Sequence, residues 1–203
     1  MKILIGTPIH QIKDYAMRKW LKNVAELQAK SPADLLLVDN SPNLDYVDKV
    51  KGYCQKLGVR NYQIKHLEIG DLQGRDEKIA RSREIIRQHI IDHDYDAWFS
   101  WESDQLIPTD TLDRLIKIME AGNYTIIHPN SWNRVFQCEP QASFGVCLIS
   151  RPPLEKYTFL LDTPALRNCW FGGEDWFKKQ VLESGGSYIE IYGVIKPIYH
   201  LDK

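Results

Sequence analysis

Short apolar runs alternate with stretches of helical period along the whole chain. The run from Ile3 predicts a strand over 3–7, and Tyr15, Met17, Trp20, Leu21, Val24 and Leu27 follow at the spacing of a helix lying on a sheet. Leu35, Leu36, Leu37 and Val38 form a second strand without polar alternation, so both of its faces need cover, as in a parallel sheet flanked by helices. Val47, Val50, Tyr53 and Leu57 predict a helix stopped by Gly58, followed by a strand over 62–69, a long helix over 79–91 and a strand from Ala97 to Trp101. Pro108 to Thr111 reads as a helix start, with Leu112, Leu115, Ile116 and Met119 on its apolar face and Gly122 as its stop. Strands over 124–128 and 144–149 come next, the second ended by Arg151-Pro152-Pro153. An aromatic, Pro-containing stretch to Phe171 then precedes a helix from Glu174 to about Ser184, closed by Gly185 and Gly186. Two terminal strands are predicted over 188–192 and 195–199.

Successive strand, helix, strand units imply right-handed crossovers and an open α/β sheet, mixed but mostly parallel, flanked by helices. Such sheets take ligands beyond the carboxyl ends of their strands. The length of 203 residues suits one domain. With 43% hydrophobic and 26% charged residues, disorder and coiled coil are excluded. Lys and Arg total 26 against 27 Asp and Glu, so no global positive field exists to hold nucleic acid. The longest apolar stretches fall far short of the roughly 20 residues of an integral membrane segment, and the chain reads as cytoplasmic. Cys54, Cys138, Cys147 and Cys169 contain no Cys-x-x-Cys pair and read as buried thiols, without a zinc knuckle or disulfide framework.

The strand ends carry the candidate chemistry: Gly6-Thr7-Pro8 after the first, Asp39-Asn40-Ser41 after the second, and Glu102-Ser103-Asp104 after the fourth. In an extended segment residues two apart point the same way, so Glu102 and Asp104 place two carboxylates together. A hard divalent ion would answer their charge; a polar turn before Pro108 would also account for them. Gly172-Gly173-Glu174-Asp175 sets two acids in the first turn of a helix, where they serve catalysis or simply complement the dipole. Arg75, Lys78 and Arg81 share one helical face, which fits either a diphosphate or a solvated face with Glu77 paired to Arg81. His89 and His93 stand four apart but lack the glutamate of a zinc peptidase helix, and a role at a helix end suits them better. Trp132, Phe136, Trp170 and Phe171 fit either stacking on a sugar or core packing. No glycine-rich dinucleotide loop, Walker A loop or Gly-x-Ser-x-Gly is present.

In order along the chain, these residues resemble glycosyltransferases of the GT-A fold, particularly the large family 2-like group. Gly6-Thr7-Pro8, Val38-Asp39-Asn40-Ser41 and Ala80-Arg81-Ser82 match its opening motifs, Glu102-Ser103-Asp104 its Asp-x-Asp, Gly173-Glu174-Asp175 its acceptor motif and His200 its C-terminal histidine. Glu102 stands for Asp and Ser82 for Asn. The resemblance implies a minimal single domain over 1–203, its nucleotide-binding half at 1–105 and its acceptor-binding half at 106–203. It implies a metal-dependent transfer of sugar from a nucleoside diphosphate donor, such as a UDP- or GDP-sugar, to a hydroxyl of a glycan, protein or lipid. Thr7, Pro8, Asp39, Arg81, Glu102 and Ser103 are then expected to bind the nucleotide-sugar. Asp104 and His200, with Glu102, are expected to hold Mn²⁺ or Mg²⁺, and Asp175, assisted by Glu174, to activate the acceptor. A sugar nucleotidyltransferase shares the architecture, but only Gly6 stands near the first strand where that class carries a glycine-rich opening followed by Arg. A nucleotide- or carbohydrate-binding protein without turnover is the non-enzymatic alternative.

Overall fold

The structure, a computed structural model, describes residues 1–68, 70, 74–129, 144–160 and 172–202. Trp132, Phe136, Cys138, Cys169, Trp170 and Phe171 lie outside the described residues.

The apolar runs become β1 (Ile3–Ile9), β2 (Asp34–Asp39), β3 (Tyr62–His66), β4 (Ala97–Trp101), β6 (Ile126–Pro129), β7 (Val146–Ser150) and β8 (Tyr188–Ile191), joined in one sheet of order β3-β2-β1-β4-β7-β6-β8. β1 runs parallel to β2 and β4, β2 to β3, and β6 to β8; β7 alone is antiparallel, to both β4 and β6. The sheet is therefore mixed and mostly parallel. A second, two-stranded sheet pairs β5 (Gln105–Leu106) with β9 (Tyr199–His200).

The central strands β1, β2, β4 and β7 lack polar alternation because each feeds two cores. Ile3, Ile5, Leu35 and Leu37 face α1 (Asp14–Lys30), α2 (Asp45–Leu57) and α4 (Thr111–Gly122), where Trp20, Leu21, Val50 and Leu115 are buried with them. Leu4, Leu36 and Val38 face the opposite side, against Ile86 and Ile90 of α3 (Arg75–Asp92), Leu154 of α5 (Arg151–Lys156) and Phe177 and Val181 of α6 (Gly172–Glu183). Each fully buried Leu, Ile or Phe contributes about 1.5–3 kcal/mol, so a polar residue at any alternate position would forfeit one core or the other. At Gly6 the sheet and α3 close tightly. A Cβ there would stand 2.3 Å from Ile86 Cγ2 and 2.6 Å from Trp98 Nε1, the same indole nitrogen that donates to the Gly6 carbonyl at 2.9 Å.

Several boundaries differ from the sequence pattern for local reasons. Arg151-Pro152-Pro153 ends β7 but also starts α5, since a first helical turn has no use for the missing proline N–H groups. The helix over 111–122 stops through Asn123 in the left-handed region, φ 49°, with Gly122 as its last helical residue. The strand expected over 62–69 ends at His66, and the one expected over 195–199 reduces to β9, after a cis Lys196–Pro197 bond. Among the described residues no helix is long and apolar enough to cross a membrane.

Candidate active site

Two segments meet at the carboxyl edge of the sheet, where β1 is flanked by β2 on one side and β4 on the other. Thr7 Oγ1 donates to the Trp101 carbonyl at 2.8 Å and so ties the ends of β1 and β4 together. Beyond β4 the chain turns instead of staying extended, with Gln105 N donating to the Glu102 carbonyl at 3.2 Å. Glu102 and Asp104 are thus brought together by a turn, not by the i, i+2 geometry of a strand. β9 lies against this turn: Leu201 N donates to the Asp104 carbonyl at 2.7 Å, and His200 is in register with Gln105. His200 is therefore held in the site by backbone pairing, not left at a frayed end. One ligand atom from each of Glu102, Asp104 and His200 lies within 4.8 Å of the others.

Asp104 is the buried member, its side chain 3% exposed against 35% for Glu102 and 15% for His200. Its Oδ2 lies 3.5 Å from His200 Nε2 and 2.9 Å from Lys13 Nζ, while its Oδ1 is buried without a hydrogen-bond partner. An orphaned carboxylate oxygen beside a second acid and an imidazole is a donor set that fits a hard divalent ion such as Mn²⁺ or Mg²⁺. Ser103 is buried as well, and its Oγ also lacks a partner. Tyr15, whose hydroxyl donates to the Leu201 carbonyl at 3.2 Å, has its phenol held above the usual range by burial and by the Asp104 charge.

The nucleotide-side residues cluster at the ends of β1, β2 and β3. Asp39 is fully buried; its Oδ1 accepts from Ser41 Oγ at 2.6 Å and Ser41 N at 3.1 Å, and its Oδ2 accepts from His66 Nδ1 at 2.8 Å. Asn40 Nδ2 donates to Ser82 Oγ at 3.0 Å, joining β2 to α3. Pro8 is half-buried. Arg81 is exposed and held by Glu77 through its Nε at 3.0 Å and an Nη at 2.8 Å. Arg75 and Lys78 instead act on His10 in the loop after β1. Burial lowers the His10 pKa first, Asp39 opposes, and the two cations lower it further.

The acids of α6 separate. Asp175 is exposed in the first turn, whereas Glu174 is buried and ion-paired with the buried guanidinium of Arg83 on α3. Burial pushes the Glu174 carboxyl up to about 7, with Arg83 opposing and Glu102 adding to the rise. The α6 start is seated by Phe177, which stacks on Phe159 at 4.4 Å between ring centroids, with Phe144 edge-on to both.

Lys13, His66 and Arg83 were not among the residues expected here. Arg83 had a signal: it occupies the apolar stripe with Ile86 and Ile90, and a guanidinium in such a stripe implies a buried partner. His66 would have stood out had β3 been ended two residues beyond Ile64, since it then closes the strand next to Asp39. Lys13 sits in a short 3-10 turn, Gln11–Lys13, that no periodicity announces.

The His pair of α3 packs ring to ring, His89 on His93 at 3.9 Å, with His89 buried and lowered to about 4 by that burial and by His93. Cys54 and Cys147 are buried thiols. His128, at the end of β6, is buried and within 3.0 Å of the Tyr188 hydroxyl; burial lowers its pKa to about 4. Between pH 6.5 and 4 the unfolded chain binds a proton here that the folded chain does not, so stability is lost as pH falls through that window, by roughly 3 kcal/mol at most. Urea unfolding at pH 7 and pH 5 is expected to show a smaller difference in His128→Gln than in wild type; equal differences would remove His128 from the acid response.

No protein-family profile matches the sequence, and no curated protein sequence matches it. Solved structures do. The mannosyltransferase PcManGT from Pyrobaculum calidifontis, in complex with GDP-Man and Mn²⁺, is 13% identical with a TM-score of 0.73, over 95% of this chain and 55% of its own. TarS of S. aureus is also 13% identical, with a TM-score of 0.68, over 95% of this chain and 35% of its own. A197 from STIV, 14% identical with a TM-score of 0.54, is spanned over all of this chain and 87% of its own. The chain thus spans about a third to a half of the length of TarS and PcManGT. Its fold is the GT-A fold, and structures of that fold it is similar to include nucleotide-sugar glycosyltransferases.

Proposed function

We propose that the chain is a metal-dependent glycosyltransferase that moves a sugar from a nucleoside diphosphate donor to an acceptor hydroxyl. The observation that carries this reading is the convergence of Glu102, Asp104 and His200 at the carboxyl edge of a GT-A sheet, with an Asp104 oxygen left unpartnered. The ligands of two neighbours agree with it: PcManGT is seen with GDP-Man and Mn²⁺, and a fragment of TarS with UDP-GlcNAc.

In this reading Asp104 and His200, with Glu102, hold the ion, and Mn²⁺ suits the mixed carboxylate and imidazole set. When bound, the cation supplies a Lewis acid for the departing diphosphate. The first 105 residues take the donor and the remainder the acceptor. Thr7 and Pro8 line the nucleoside, and Asp39 forms the floor of its site by holding Ser41 and His66 in place. Ser103 borders the sugar-diphosphate, and Lys78 and Arg81 on α3 supply positive charge to it, Arg81 from its pairing with Glu77. Asp175 takes the acceptor proton, and Glu174 fixes the helix that presents it.

A thermal-shift screen of UDP- and GDP-sugars with and without Mn²⁺ tests the reading, since a ligand that binds only the folded state raises its melting temperature. Wild type is expected to show an Mn²⁺-dependent shift with one donor, and Asp104→Ala and His200→Ala to lose it. The same metal dependence in all three proteins would sink the site. Donor binding without donor hydrolysis or transfer would leave a binding protein on the fold.

A further inference from the structure

We propose that Lys13 is a built-in competitor for the metal: its ammonium holds Glu102 and Asp104 together before a divalent ion enters, and must leave for the ion to bind. This rests on the metal-dependent reading above. Lys13 Nζ lies 2.9 Å from Asp104 Oδ2 and 3.9 Å from Glu102 Oε2, so one cation bridges the two acids expected to ligate another. Oδ2 is also the oxygen facing His200 Nε2, 3.5 Å away, which puts the ammonium on the ligand set itself. Water screens the site only in part: Asp104 is almost wholly buried, while Lys13 and Glu102 are about a third exposed.

The backbone of Lys13 is pinned, with its N–H on the His10 carbonyl at 2.9 Å and α1 starting at the next residue. The four-carbon stem is not: its side chain is 29% exposed, and a lysine swings a compact charge without moving its backbone. Two carboxylates and one ammonium sum to −1. Adding a divalent ion makes the sum +1, and the ammonium displaced from the two acids is then best answered by the charge of an arriving diphosphate. Lys13 therefore makes metal binding weak in the empty site and favourable together with a diphosphate, which couples entry of the metal to entry of the donor.

The test is Mn²⁺ titration of the chain alone, with free Mn²⁺ counted by its electron paramagnetic resonance signal. Lys13→Met is expected to bind Mn²⁺ about tenfold or more tightly than wild type, since like charges a few Å apart repel strongly even in a partly screened site. Lys13→Arg, which keeps the charge, is expected to stay near wild type, and Lys13→Met with Asp104→Asn to lose the ion. Equal affinity in wild type and Lys13→Met, abolished by Asp104→Asn, would leave the metal site standing and overturn the role of Lys13. Absence of Mn²⁺ binding in both would sink the metal reading, and this proposal with it. Melting temperatures of the metal-free variants show that each has folded.

Discussion

Asp175→Asn is expected to lower glycosyl transfer by about 10²- to 10⁴-fold while donor binding survives, the range typical of removing a general base. The two acids at the start of α6 are not equivalent. Glu174 is buried and spends its carboxylate on Arg83, so an acceptor hydroxyl would have to break that pair to reach it. Asp175 is exposed one residue further on, open to an acceptor arriving from solvent. The helix that carries it is braced at its base: Gly173 packs within 3.4 Å of the Phe159 carbonyl, measured from the position a Cβ would take, and Phe177 stacks on Phe159. A rigid helix start costs the base little reorganisation when the acceptor docks. The comparison is turnover of Asp175→Asn and Glu174→Gln with a donor that thermal shift has identified. Loss in Glu174→Gln with Asp175→Asn active would move the base to Glu174, and a product of retained configuration would leave Asp175 only an acceptor-binding role.

What could be read from the amino acids and what could not divides along physical lines. The apolar run at 35–38 announced a doubly covered strand because burial on both faces removes polar alternation, and β2 is that strand; the run at 97–101, read simply as a strand, became β4, which is covered on both faces as well. Strand direction left no such mark. Val146 to Ile149 reads the same either way, so the reversal of β7 between β4 and β6 became visible only in the pairing of Trp98 with Ile149 and Ile127 with Leu148. Glu102, Asp104 and His200 were expected together and the structure brings them together, though by a turn and a two-residue ladder. Their cationic neighbour was not foreseen, because Lys13 is local to nothing: 91 residues separate it from Asp104, and only the closure of β1 against β4 makes them adjacent. Arg81 shows the converse. Its spacing with Arg75 and Lys78 was real, but the i, i+4 partner Glu77 was close at hand and holds it.

Arg83→Met is expected to destabilise the fold by roughly 3–5 kcal/mol at slightly alkaline pH, the usual cost of stripping one partner from a buried ion pair. Arg83 and Glu174 join α3 to α6 across 91 residues of chain, and neither side chain is more than about a tenth exposed. Without the guanidinium, burial and the repulsion of Glu102 and Asp175 raise the pKa of the Glu174 carboxyl, opposed by the hydrogen bond from the Phe144 backbone. It therefore stays protonated in the folded variant to higher pH than the value of about 7 it has beside Arg83. The unfolded chain releases that proton near the ordinary glutamate range in either protein. Above pH 7 the folded variant thus holds a proton that both the folded wild type and the unfolded chain have given up, and its stability falls relative to wild type by about 1.4 kcal/mol per pH unit. Urea unfolding at pH 6 and pH 8.5 measures this: the deficit of Arg83→Met is expected to be larger at pH 8.5 by roughly 2 kcal/mol. Adding Glu174→Leu removes the stranded acid and is expected to recover much of the loss and to flatten the slope, because a well-packed apolar pair can replace a buried ionic one. A deficit independent of pH, or one that Glu174→Leu deepens, would mean that Arg83 stabilises the α3–α6 contact by packing and not by answering Glu174.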